Sequence, residues 1–96
     1  MLQLKTKWGL YLLQNAIRID FYRVKEKNWE VLIAIDGNKH LLQSFEEDMD
    51  SIAFCSYVRN TIFDIFDEYD PKLVKKIDLD ELCEKAFNAV INGEDI

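Results

Sequence analysis

The chain has 96 residues, 49% of them hydrophobic and 31% charged, with three Gly and one Pro. This length excludes a multidomain protein, and the composition excludes a disordered or low-complexity chain. Eighteen acidic and twelve basic residues leave a net charge of −6, which argues against a general polyanion-binding protein held by counterion release. We expect one domain over residues 1–96, with a sheet half at about 1–44, a helical half at 45–93 and a frayed tail at 94–96.

Neither a secretion signal nor a membrane-spanning segment is visible. The first 15 residues lack the continuous apolar core and small-residue cleavage site of a signal peptide. The longest apolar run, residues 31–35, is far shorter than the roughly 20 residues that cross a bilayer. We therefore expect a cytoplasmic protein without a membrane partner.

The first part of the chain has the period-two alternation of β-strands. Ile17, Ile19 and Phe21 alternate with Arg18, Asp20 and Tyr22. In the second segment the large residues Trp29, Val31, Ile33 and Ile35 alternate with Glu30, Leu32 and Ala34. In residues 36–38, Asp-Gly-Asn, the Gly and Asn tolerate the positive φ of a tight hairpin turn, which predicts a third strand at about 39–43. The segment 8–13 fits both a strand and a short helix, and we favour the strand.

A long helix is predicted next. Ser44 and Glu47 have the spacing of a capping box, in which each side chain accepts a hydrogen bond from the other's backbone N–H, so the helix should begin at Ser44. Its end is expected by Asp70, because Pro71 disfavours helical geometry in the residue before it and can open a short turn through Lys76. The apolar side of the helix consists of Phe54, Cys55, Val58, Ile62, Ile65, Phe66 and Tyr69.

The last helix has the clearest boundaries. Asp78 and Glu81 form a second capping box, with Ile77 placed to pack on Leu82, and Asn92-Gly93 favours a helix end. The apolar side is Leu79, Leu82, Cys83, Ala86, Phe87 and Val90. Together the elements predict an α+β fold: a three- or four-stranded antiparallel β-meander followed by a long helix and a second, C-terminal helix, packed on one sheet face.

No catalytic, cofactor-binding or metal-binding constellation stands out. Cys55 and Cys83 lie on the apolar sides of predicted helices, which favours reduced core thiols over a disulfide or a reactive nucleophile. The one histidine, His40, has no partners at a recognisable spacing, and the dispersed glycines do not form a phosphate-binding loop. We expect a protein that is not an enzyme and that needs no cofactor or metal.

The charge is divided unevenly along the chain. Residues 1–40 contain seven basic and four acidic residues, whereas residues 41–96 contain five basic and fourteen acidic ones. One interpretation is that the acids only solvate helix faces. The other is an acidic docking surface that steers toward a basic partner. The candidate residues of that surface are Glu46, Glu47, Asp50, Asp64, Asp67 and Glu68.

The outer face of the predicted sheet is an alternative binding surface. Tyr22 alternates with Ile19 and Phe21, which places it on the outer face near Leu32 and Arg18. Tyr and Arg beside an aliphatic residue are enriched at protein interfaces, and aromatic and Arg side chains also stack on single-stranded bases. The net negative charge favours a protein partner.

These features predict a small acidic protein–protein interaction module, such as an inhibitor, an antidote or an adaptor. In its most specific form the module docks on a basic, nucleic-acid-binding surface of its partner, by analogy in size and charge with small acidic proteins of phages and mobile elements. The alternatives are a weak RNA- or DNA-binding domain that uses the basic sheet face, a small enzyme without a recognisable motif, and a structural subunit. A homodimer is left open by the sequence.

Overall fold

A computed structural model describes residues 1–93. Residues 94–96, predicted to be a tail, lie outside the described residues. The predicted α+β class is confirmed, as is the order of antiparallel strands, long helix and C-terminal helix. The elements of the described part are β1 (Leu2–Thr6), β2 (Gly9–Leu12), β3 (Ile19–Lys25), β4 (Trp29–Ile35), β5 (Asn38–Phe45), α1 (Asp48–Glu68), β6 (Lys75–Asp78) and α2 (Leu79–Ile91).

The predicted meander is the antiparallel sheet β3-β4-β5. A two-residue turn joins β4 to β5, and both of its residues have positive φ, 49° at Asp36 and 86° at Gly37. Positive φ at both central residues matches the twist of a hairpin, so the turn was predicted correctly, with Asp36 rather than Asn38 in the left-handed region. Ile17 lies before β3 and is 95% exposed, so the predicted strand at 17–22 begins two residues later and extends to Lys25.

A second three-stranded sheet was not predicted. Its order is β2-β1-β6, with β1 antiparallel to β2 and parallel to β6. The preferred strand at 8–13 corresponds to β2, which is followed by a 3₁₀ turn at Leu13–Asn15. The turn predicted from Pro71 through Lys76 is wrong at its end, because Lys75 and Lys76 already belong to β6. Pairing with β1 satisfies the backbone of this segment while Ile77 is buried.

The long helix begins at Asp48, so the predicted start at Ser44 is wrong. Ser44 pairs with Glu30 across the β4–β5 ladder, and the N-cap residue Glu47 makes no side-chain capping bond. Strand β5 forms here instead of a helix because it continues the ladder with β4 to Phe45, whose buried ring lies 5.3 Å from that of Phe54. The end of the helix at Glu68, before Asp70-Pro71, agrees with the prediction.

The C-terminal helix starts as predicted. Asp78 is the N-cap, and its Oδ1 accepts a hydrogen bond of 3.2 Å from the backbone N–H of Glu81. This bond satisfies one of the otherwise unpaired N–H groups of the first turn. Asn92 follows the helix as its C-cap, and Gly93 adopts a φ of 67°.

The core lies between the two sheets and the two helices. α1 packs on β3, β4 and β5, whereas α2 packs on β1, β6 and α1. Each helix therefore packs with one side on the sheet that it contacts, and the opposite side of the helix faces solvent. The fully buried large side chains are Leu2, Leu4, Leu13, Val31, Ile33, Phe54, Val58, Ile62 and Leu79.

Candidate interaction surfaces

The six carboxylates predicted to form a docking surface are all exposed. Glu46 and Glu47 precede α1 and Asp50 lies in its first turn, whereas Asp64, Asp67 and Glu68 lie at its end. Asp50 and Asp64 are fourteen residues apart, about 21 Å along the axis at 1.5 Å per residue. The structure thus presents two acidic groups at opposite ends of one helix rather than one contiguous patch.

Asp50 and Glu68 nevertheless share a side of the helix. They are eighteen residues apart, which is about five turns at 3.6 residues per turn. Asp50 and Glu68 therefore mark the ends of a strip about 27 Å long on the solvent side of α1. A partner that contacts both groups must present basic residues with a similar separation.

None of the six carboxylates belongs to a salt bridge within residues 1–93. The two salt bridges of this region join Arg18 to Asp20 and Arg23 to Asp48. The second one is structural, because Arg23 also donates a hydrogen bond of 3.1 Å to the buried Ser51 hydroxyl. Arg23 thereby ties β3 to the first turn of α1. Sequence reasoning missed this pair, since twenty-five positions separate its members.

The end of α1 has no compensating cation. Its last turn contains no basic residue, although Asp64, Asp67 and Glu68 sit near the negative end of the helix macrodipole. Lys75 lines a surface groove together with Glu68, but the two side chains form no ion pair. Negative charge at this place destabilises the helix slightly and leaves an unneutralised surface.

The outer face of the meander carries a short apolar row. Tyr22 pairs directly with Leu32, and Leu32 pairs directly with Leu41, so the three side chains share one side of the sheet. Arg18, the third residue predicted for this face, donates through Nε to both oxygens of Asp20, at 3.0 and 2.8 Å. The structure thus brings Tyr22 and Leu32 together and partly neutralises Arg18.

An aromatic cluster joins the two sheets. Trp8 stacks on the ring of His40 with 4.5 Å between centroids, and the Tyr11 hydroxyl lies 2.6 Å from His40 Nε2. The Lys7 ammonium lies 5.0 Å from the Trp8 ring centre, within cation–π range. Trp8 is 49% exposed, so the cluster is a surface feature. Local periodicity does not predict it, because Tyr11 and His40 belong to different sheets.

A groove of about 300 Å³ lies beside this cluster, between Trp8, β5 and α2. Cys83 lines it, together with Asp80 and Glu84. Burial, reinforced by the charge of Asp80, raises the pKa of Cys83 to about 12, with Lys7 acting in the opposite direction. At neutral pH the thiol is therefore protonated and a poor nucleophile.

Both cysteines are free, and their environments differ. Cys55 is buried, as predicted, whereas Cys83 is half-buried and packs against the core from its edge. Cys83 also lines the groove, so one side of its side chain packs on the core and the other faces the groove. Burial raises the pKa of Cys55, while the nearby charges of Arg59 and Arg23 oppose that increase.

Over residues 1–93, no group of three or more His, Cys, Asp or Glu side chains is arranged to hold a metal ion. Neither α1 nor α2, the helices of this range, is long and apolar enough to cross a membrane.

Comparison with known proteins gave no relative. No protein-family model, curated protein or solved structure matched this chain.

Proposed function

We propose that this protein is a non-catalytic protein–protein interaction module of the cytoplasm that docks its acidic helical surface on a basic surface of a partner protein. The observation that carries the proposal is the end of α1. Three exposed carboxylates, Asp64, Asp67 and Glu68, are gathered there without a basic residue in the last turn. Charge that opposes the macrodipole lowers helix stability, and a surface that gives up stability is a candidate functional site.

The separation of the two acidic groups determines how they act. At physiological ionic strength screening acts over about 8 Å, so groups about 21 Å apart steer a partner independently. A basic groove that binds nucleic acid is the most specific partner surface in this proposal, because it presents cations along an extended strip. An acidic helix on such a groove would exclude nucleic acid from it.

Two matched variants test the proposal. The first neutralises the helix end as Asp64→Asn, Asp67→Asn and Glu68→Gln; the second neutralises the helix start as Glu46→Gln, Glu47→Gln and Asp50→Asn. Each removes three charges, but their effects on stability have opposite signs. Neutralising the helix end should raise the free energy of unfolding by a few tenths of a kcal/mol per residue, and neutralising the start should lower it similarly.

Binding is measured with immobilised wild-type and variant proteins exposed to lysate, with mass spectrometry of the captured proteins. A partner captured by the wild type is then purified, and its association rate is measured at several salt concentrations. The proposal predicts slower association of the helix-end variant, with the difference shrinking as salt rises. Wild-type association rates for both neutralised variants at low salt would show that the acidic residues only solvate the helix.

The second candidate function is binding of single-stranded nucleic acid. The exposed Trp8 ring beside Lys7 favours it, because aromatic rings with adjacent cations bind unpaired bases. The charge of Asp80 and Glu84 across the same groove, and the pairing of Arg18 with Asp20, oppose it. Fluorescence anisotropy with labelled single-stranded RNA and DNA at physiological salt separates the two functions. Micromolar binding that Trp8→Ala abolishes would favour this candidate.

A further inference from the structure

Strand β3 forms an open edge of the meander. The opposite edge strand, β5, is partly covered by the β1–β2 hairpin, because Trp8 and Tyr11 contact His40. Within residues 1–93 no strand pairs with the outer edge of β3. Such an edge presents a row of unpaired N–H and C=O groups that can pair with another strand.

The open edge lacks two of the features that normally block edge pairing, a proline and a bulge, although it carries the charged residues Asp20, Arg23 and Lys25. β3 is seven residues long, contains no proline and pairs with β4 in regular register. The bulge of this sheet is in the β4–β5 pairing, at Val31 and Leu32. The edge strands of the other sheet, β2 and β6, have only four residues each. β5 is one residue longer than β3, but it contains the bulge partner and contacts the β1–β2 hairpin at His40, so β3 is the longest regular edge without a contact from the other sheet in the described chain.

The hydrogen-bonding direction of each β3 residue follows from its pairing with β4. The Asp36 N–H donates a bond of 2.9 Å to the Arg18 carbonyl, so the backbone groups of Arg18 point toward β4. Because this direction alternates along an antiparallel strand, the groups that point outward belong to the odd-numbered positions. These positions are Ile19, Phe21, Arg23 and Lys25.

An apolar flank of α1 runs beside this edge. Ile52 and Phe63 are 38% and 42% exposed, and their spacing of eleven residues, about three turns, places them on one side of the helix. The Phe63 ring contacts Phe21 of β3, with 5.7 Å between centroids. The open strand and the apolar flank therefore form one continuous surface.

We propose that this surface binds a second copy of the chain, with the two β3 strands antiparallel about a two-fold axis at Tyr22 and the two sheets joined into one of six strands. This arrangement sets the outward-pointing residues opposite one another, as antiparallel pairing requires. It also places Arg18 of each copy opposite Glu26 of the other. Both bonds from Arg18 to Asp20 use Nε, so its Nη groups remain free to bind the second copy's Glu26.

The charges select this register over its neighbours. A two-fold axis at Arg23 would place Arg23 against its own symmetry mate and Asp20 against Glu26. Like charges directly opposite each other destabilise a strand pair. An axis at Phe21 would set Arg18 opposite Val24 and leave no pair of opposite charges. The axis at Tyr22 is therefore the self-complementary choice.

The helices fit the same axis. Arg23 contacts Ser51 near the start of α1, and Phe21 contacts Phe63 three turns later, so β3 and α1 run in opposite directions. Rotation about Tyr22 brings the two α1 helices side by side and antiparallel, with Ile52 near the second copy's Phe63. Asp50, Asp64 and Glu68 lie on another side of α1 from Ile52 and Phe63, so the dimer still presents an acidic side of each helix, whereas Asp67 lies one turn after Phe63 beside the contact.

Sedimentation velocity of the full chain over a concentration series tests the proposal. The wild type should dimerise at concentrations up to about 100 µM, which populates even a dimer with a Kd in the micromolar range. Glu26→Arg creates two like-charge contacts and should weaken the dimer about tenfold. The double variant Arg18→Glu/Glu26→Arg restores opposite charges and should recover wild-type association.

Substitution of exposed apolar residues by glutamate supplies the second test of the interface. Ile52→Glu should also weaken the dimer, whereas Leu10→Glu, on β2 of the other sheet and 59% exposed in the wild type, is the matched control and should not. Circular dichroism spectra establish that each variant is folded. A wild type that stays monomeric across the series overturns the proposal. A dimer that tolerates both Glu26→Arg and Ile52→Glu would place the interface elsewhere and overturn it equally.

Discussion

Of the two capping-box sequences, the one at Asp78 caps a helix, whereas the one at Ser44 lies in a strand. Mutation of Asp78 and of Ser44 tests this difference. At Asp78, substitution by alanine removes the acceptor for the Glu81 N–H. Loss of such a cap costs about 1 kcal/mol, and loss of a negative charge beside the helix N-terminus adds a few tenths. Ser44 lies in β5 without a capping role, so Ser44→Ala should change the free energy of unfolding by less than about 0.5 kcal/mol.

The expected change in melting temperature follows from chain length. An unfolding entropy of about 2.1 cal/mol/K per residue gives about 0.2 kcal/mol/K for 96 residues. A loss of about 1.2 kcal/mol therefore lowers the melting temperature by about 6 °C. Asp78→Asn keeps an acceptor oxygen and should lose less than half of that.

Thermal unfolding followed by circular dichroism at 222 nm measures all three variants under one buffer condition. We expect destabilisation to decrease in the order Asp78→Ala, Asp78→Asn, Ser44→Ala. An equal decrease for Ser44→Ala and Asp78→Ala would mean that Ser44 caps α1 after all. An unchanged melting temperature for Asp78→Ala would show that the Asp78 side chain does not stabilise α2 as its N-cap.

Two further predictions concern the groove and the aromatic cluster. The pKa of Cys83 is about 12, against an ordinary value of 9.0, so at pH 8 the folded chain holds about a thousandfold less Cys83 thiolate than an ordinary thiol would. A thiolate of higher pKa is intrinsically more nucleophilic, which raises the reaction rate by about twentyfold and offsets part of this loss. In a Cys55→Ala background, Cys83 should therefore react with a disulfide reagent about fifty times more slowly in the folded than in the unfolded chain. The rate in the folded chain should still rise above pH 10. A rate that reaches a plateau below pH 10 would contradict the raised pKa. Tyr11→Phe removes the hydroxyl partner of His40 and should lower the free energy of unfolding by about 1 kcal/mol in urea titrations. In a His40→Ala background the same change should have little effect, and equal effects in both backgrounds would show that the two side chains do not interact.

Local chemistry in the sequence was sufficient for several elements. The alternation of large apolar residues over 29–35 predicts β4, and the structure buries Val31, Ile33 and Ile35 of this series, with Ala34 buried as well. The cap at Asp78 predicts the start of α2, because capping uses groups only three positions apart. The exposure of the six carboxylates is also foreseeable, since unpaired charges rarely leave water.

Tertiary pairing decided what local signals left open. Leu2 and Leu4 alternate with polar residues, but β1 gains its parallel partner from Lys75–Asp78, more than seventy positions away. The Ser44 capping sequence is overruled because strand pairing with β4 and burial of Phe45 stabilise the ladder there.

The candidate surfaces follow the same division. Composition along the chain predicts an acidic helical half, but the separation of its carboxylates depends on where α1 begins and ends. The Arg23–Asp48 ion pair and the stacking of Trp8 on His40 each join residues from different elements. The open edge of β3 likewise depends on which strands the sheet places beside it. Sequence by itself determined the elements whose stabilising groups lie within a few positions of one another; the second sheet, the start of α1 and the shared surfaces required the tertiary structure, because their contacts join distant segments.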